Sequence, residues 1–142
     1  MALEKSEHEK KKAASRQGRR SRAKGAAFER RIAKKLKAAL GADFVRTPQS
    51  GGFAKGMEGA EGFRGDVLPA GGASGFLLHV EAKNAKAWAM AKWMAQAEAD
   101  APEGKVPVVV AHRHGTSRDF LLIDFDDFLR IVPLEVLMKG GV

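Results

Sequence analysis

The chain has 142 residues, enough for one domain with one modest core. It contains no cysteine, which excludes disulfides and thiolate metal sites, and no apolar run near the ~20 residues of a membrane span. The formal charge of +8 is unevenly spread: residues 1–37 hold 14 Lys/Arg against 4 Asp/Glu, and residues 38–142 hold 11 against 13. A cationic arm on a near-neutral body suits a phosphate backbone, and the lack of large apolar residues at helical spacing before Phe28 favours nucleic acid over a membrane surface. No apolar signal core stands at the N-terminus, so a cytoplasmic location is expected.

Residues 1–22 are nearly free of large apolar side chains and read as a flexible basic arm, with residues 23–142 as a single folded domain. From Lys24 to Leu40, Phe28, Ile32, Leu36 and Leu40 recur every four residues, the pattern of an amphipathic helix stopped by Gly41. At ~100° per residue these four cover an arc of about 120°, and Glu29 falls inside it. Arg30, Arg31, Lys34 and Lys37 fall outside. A carboxylate is therefore aimed toward the core while the cations face water.

Ala42–Thr47 reads as a short strand, followed by a Gly-rich loop from Pro48 to Gly65 that is longer than ordinary connections. Gly65–Pro69 and Gly75–Lys83 read as paired strands. A symmetric hairpin centred between Ala73 and Ser74 sets Asp66 opposite Glu81. Ala85–Asp100 has helical composition. Lys105–Ala111 reads as a buried strand and Phe120–Ile123 as another. Asp124 is placed to cap a helix over Phe125–Ile131, and Leu134–Met138 closes the chain. The order α β β β α β β α describes an α/β domain with a central mixed sheet flanked by helices.

In FLLHVEAKN, alternation puts Leu77, His79, Glu81 and Lys83 on one face of the strand and Leu78, Val80 and Ala82 on the other. Glu81 and Lys83 thus point the same way, and Asp66 can join them from the partner strand. These residue types suit metal-assisted phosphodiester hydrolysis. Mg²⁺ takes oxygen ligands, here Asp66, Glu81 and the carbonyl of Ala82. It would acidify water and neutralise phosphate charge. Lys83 can orient the nucleophile or stabilise the pentavalent phosphate, and Glu29 can support a second metal or a metal-bound water. Each part also has a plainer reading. Glu-X-Lys on a strand usually marks a solvated ion pair, Asp after Gly is a common turn residue, and Glu29 can snorkel at a helix rim. The weight lies in the three elements occurring in one order.

GDVLP…HVEAKN resembles the core motif of the PD-(D/E)XK nuclease superfamily, with Gly65-Asp66 in place of the proline–aspartate pair and Glu81-Ala82-Lys83 as its second half. More narrowly, Lys24-Gly25, Glu29-Arg30 and Arg46-Thr47-Pro48-Gln49-Ser50-Gly51 are similar to motifs of archaeal-type Holliday junction resolvases, including phage-borne relatives. The resemblance covers about residues 24–111. It implies a restriction-endonuclease-like core, with metal at Asp66 and Glu81, catalysis by Lys83 and an essential Glu29. Lys24, Arg30, Arg46 and Ser50 would contact DNA. It further implies a homodimer that cuts four-way DNA junctions with Mg²⁺, for which Mn²⁺ can substitute.

Several residues stay open. Gln96 matches a Gln of some relatives and equally suits an exposed helix face; His79 either approaches Glu81 or fills space. His112 and His114 complete no zinc pattern and read as structural. The apolar stretch Phe120–Met138 either packs in the core or forms an interface. Two further functions compete: a nuclease of linear or other branched DNA on the same scaffold, and a non-catalytic basic nucleic-acid-binding module.

Overall fold

The structure, a computed structural model, describes residues 2–47, 65–72 and 75–138, with side chains from residue 6 on. Helix α1 (Ala2–Leu40) leads into strands β1 (Phe44–Arg46), β2 (Val67–Pro69) and β3 (Leu78–Ala85). Helix α2 (Met90–Asp100), strands β4 (Val106–Arg113) and β5 (Asp119–Ile123), and helices α3 (Phe125–Ile131) and α4 (Leu134–Met138) follow. The five strands form one sheet in sequence order. Only β3 and β4 pair in parallel, and α2 makes the crossover between them. The expected α/β class with a mixed, helix-flanked sheet is what is observed.

Alternation along β3 and β4 builds two cores. Val80, Val106 and Val108 face α1 and bury Phe28, Ile32 and Ala33; Val109 and Ala111 face α2 and bury Ala97 beside Trp88 and Trp93. With both faces covered, β4 becomes a run of valines rather than an alternating strand. Burial of Phe28 and Ile32 contributes about 1.5–3 kcal/mol each and fixes the inner half of α1 on the sheet. Asp119 adds a polar tie: it accepts from Arg31 (2.6 Å) and from Lys35 on α1, and lies 2.8 Å from His112 Nδ1. Burial opposes charge there, but the hydrogen bonds from Lys35, His112 and Arg31 outweigh it and hold the Asp119 carboxyl below the usual range.

Residues 2–22 are helical, because α1 runs unbroken from Ala2 to Leu40. Apolar periodicity marks only where the helix meets the sheet. The outer part is mostly Ala, Lys, Glu, Arg and Gln, which favour helix without a core. Helix α2 also starts later than Ala85. Residues 84–85 extend β3 beyond Lys83 instead, paired with residues 112–113 of β4, so at Ala85 sheet pairing overrides helical propensity. Leu40 is exposed rather than packed. Asp124 caps α3 as its sequence position predicts, accepting from the N–H groups of Asp126 and Asp127. Neither α3 nor α4 has a buried residue, although Ile131 packs against the first core.

Candidate active site

Val67 pairs with Val80, the register of a hairpin centred between residues 73 and 74. The Asp66 N–H donates to the carbonyl of Val80 (2.8 Å), and the Asp66 carbonyl accepts from the N–H of Thr47 (3.0 Å). The aspartate is thus clamped between β3 and the end of β1. Its carboxylate reaches along β3 and accepts from the N–H of Ala82 at 2.7 Å. Gly65 makes this approach possible. Its φ is +96°, closed to proline and costly for any L-residue, and a Cβ there would stand 3.1 Å from the Val80 carbonyl oxygen. The glycine in place of the motif's proline therefore follows from the local backbone.

Glu81 is buried, and its Oε2 lies 3.7 Å from Lys83 Nζ. The lysine also donates at 3.0 Å to Gln96 Oε1 on an exposed face of α2. His79 is buried, with Nε2 3.2 Å from Glu81 Oε1 but without hydrogen-bond geometry. From the other side of the sheet, α1 brings in Glu29, 7% exposed, which accepts from Arg46 Nε of β1. The carboxylate that helical spacing aims at the core is therefore buried and paired with a cation.

Charge crowding marks the centre of the cluster. Burial, the Glu81 carboxylate and the Glu29 carboxylate raise the Asp66 carboxyl to about 7, against the lowering effects of the Ala82 N–H and Lys83. Such a carboxyl gains from a nearby cation. Among the described residues no three His, Cys, Asp or Glu side chains converge as a ready cage. Two carboxylates with a main-chain carbonyl nevertheless fit an ion that keeps much of its water, as Mg²⁺ does. Asp66 and Glu81 would hold it, with the Ala82 carbonyl as third donor.

The structure gathers Asp66, Glu81, Lys83 and Glu29, and places Arg46 beside Glu29. Arg30 is exposed on α1 beside a groove with Arg46, and Lys24 is exposed farther out on the helix. Ser50 lies outside the described residues, as does most of the Pro48–Gly65 loop. Sequence reasoning missed two partnerships. Residue spacing signals neither the pairing of Arg46 with Glu29 nor that of His112 with Asp119. The inward aim of Glu29 does signal a cation, though not which one, since a buried carboxylate calls for a cation.

None of the curated proteins or solved structures compared with it matches the chain. A family model described as "Phage putative PDDEXK endonuclease" matches residues 20–135, a span that includes Glu29, Asp66, Glu81 and Lys83. The chain belongs to this phage PDDEXK endonuclease family.

Proposed function

We propose that the chain is a divalent-metal-dependent DNA endonuclease with Asp66, Glu81 and Lys83 as its working residues and Glu29 in support. The observation that carries this reading is the buried Asp66 carboxyl, crowded by Glu81 and Glu29 with Lys83 close by. Mg²⁺ or Mn²⁺ bound there would acidify a water and neutralise phosphate charge. Lys83, held by Gln96, places a positive charge where the phosphorane develops its negative charge. The water oxygen gives up a proton to solvent and bonds to phosphorus as the ester P–O bond breaks, and the departing oxygen takes up a proton from solvent. Glu29, buried and held by Arg46, adds a third carboxylate beside Asp66 that can support a second metal or a metal-bound water.

The finer reading is resolution of four-way DNA junctions by a homodimer in the host cytoplasm. It rests on the similarity of Lys24-Gly25, Glu29-Arg30 and Arg46 to Gly51 to junction resolvases. The outward apolar residues of α3 and α4 support the dimer: Phe125, Leu134 and Met138 are 70%, 68% and 75% exposed, a surface that favours burial against a partner. No helix among the described residues is long and apolar enough to cross a membrane. The test compares cutting of a four-way junction and a matched linear duplex, with Mg²⁺ and with EDTA. Metal-dependent preference for the junction supports the resolvase. Equal rates leave a linear-duplex nuclease, and binding without cutting leaves a basic binding module.

A further inference from the structure

From Ser6 to Lys24 every residue of α1 except Gly18 is exposed, so this part of the helix stands away from the sheet. Its cations are not evenly distributed around it. Taking the buried arc of Phe28, Glu29, Ile32, Ala33 and Leu36 as the inner face, Lys12, Arg16, Arg19 and Arg20 all fall on the opposite side. At ~100° per residue they occupy an arc of about 100°, and Arg30, Lys34 and Lys37 fall in the same arc. Of the acidic residues from Ser6 on, Glu9 shares the arc, whereas Glu7 and Glu29 do not. Lys37 pairs with Asp43, and among the described residues the other six cations have no carboxylate partner.

The stripe from Lys12 to Lys37 is about 37 Å long at ~1.5 Å per residue, close to the ~34 Å of one turn of duplex DNA. Its inner end forms one wall of a groove of about 550 Å³ between α1 and β1, whose charged lining is Arg30, Lys34, Lys37 and Arg46 with Asp43 as the single carboxylate. Arg46 holds Glu29, whose charge is felt at Asp66. The row of cations therefore ends beside the carboxylate cluster.

We propose that the outward stripe of α1 is a track for duplex DNA. Lys12, Arg16, Arg19 and Arg20 bind phosphates of an arm flanking the cut, and Arg30, Lys34 and Lys37 lead its backbone into the groove that ends at Arg46. This rests on the reading that DNA is the substrate. The track reads no sequence; it sets where along a duplex the carboxylates act.

The test uses the full chain and a labelled 30-base-pair duplex in EDTA, so that binding is read without cutting, across a range of KCl concentrations. Arg16→Ala/Arg19→Ala/Arg20→Ala removes three charges from the stripe. Lys10→Ala/Lys11→Ala/Arg22→Ala removes three from the same stretch but off the stripe. Alanine keeps the helix, and circular dichroism verifies it. The first variant is expected to flatten the slope of log K against log[salt] by about 2–3 and to weaken binding ~10-fold or more at ~0.15 M salt. The second is expected to change affinity by less than about 3-fold. Equal effects of the two variants, no effect of the first, or wild-type binding to anionic vesicles in preference to duplex each overturn the track. Wild-type protein that binds through the stripe yet never cuts with Mg²⁺ overturns the nuclease and leaves the track standing.

Discussion

Arg46 and Glu29, on β1 and α1, form an ion pair at the edge of a carboxylate cluster, with the glutamate side chain only 10% exposed. Without the guanidinium, Glu29 would add an uncompensated charge next to Asp66. Arg46→Met should lower the metal-free unfolding free energy by about 1–3 kcal/mol and reduce cleavage ~10-fold or more. Glu29→Gln/Arg46→Met should recover most of the stability but not the cleavage. Chemical denaturation of the two single variants and the double variant forms a double-mutant cycle, and a coupling energy near zero contradicts the pairing.

Asp66 gives the protein a pH signature. Its carboxyl is raised from 3.8 to about 7 in the folded state. Between these values the folded chain holds a proton that the unfolded chain releases, so this group's contribution is full below 3.8 and is lost as pH rises toward 7. Asp66→Asn keeps an acceptor for the Ala82 N–H and removes the charge. Metal-free Asp66→Asn should therefore melt several degrees above wild type at pH 8, with the gap closing toward pH 4. A variant that melts lower at pH 8 refutes the crowding.

Metal should reverse that cost. Mg²⁺ added to wild-type protein should raise its melting temperature, more at pH 8 than at pH 6, because the ligand must be deprotonated. Asp66→Asn and Glu81→Gln should lose the rise and the cleavage together. Calorimetric scans with Mg²⁺ and with EDTA read this directly, and an equal rise in all three proteins would place the ion elsewhere.

Lys83 and Gln96 differ in role. Lys83→Met should reduce cleavage by about 10²–10³ while duplex binding in EDTA stays within ~2-fold. Gln96 acts through the lysine: Gln96→Ala should lower kcat ~3–10-fold with KM unchanged, and Gln96→Glu, which keeps the acceptor oxygen, should recover much of it. A change in KM alone would make Gln96 a DNA contact instead.

Gly65→Ala places a Cβ at φ +96°, 3.1 Å from the Val80 carbonyl oxygen. The expected cost is about 1–3 kcal/mol of stability together with a displaced Asp66 and weakened metal binding. Unchanged melting and metal titration would show that the turn relaxes freely.

Much of the site is legible in the sequence because strand alternation is rigid. Once Glu81 and Lys83 lie two apart on one strand, they share a face, and the hairpin centre then fixes the approach of Asp66. Glu29 is legible for the analogous helical reason. Partnerships across the fold are not: Arg46 with Glu29, Lys83 with Gln96, and Asp119 with Arg31 and His112 join elements whose contact depends on packing rather than on spacing. The outer half of α1 escaped for a different reason. A helix that touches nothing needs no apolar period, and its only trace is residue propensity.

The hydrogen bond from the Thr47 N–H to the Asp66 carbonyl joins the two points between which residues 48–64 are strung. The position of the aspartate is set by this clasp and by β3, not by the length of chain that lies between. Shortening that interval by a few residues should therefore leave Asp66 in place, because its anchors on Thr47, Val80 and Ala82 all lie outside it.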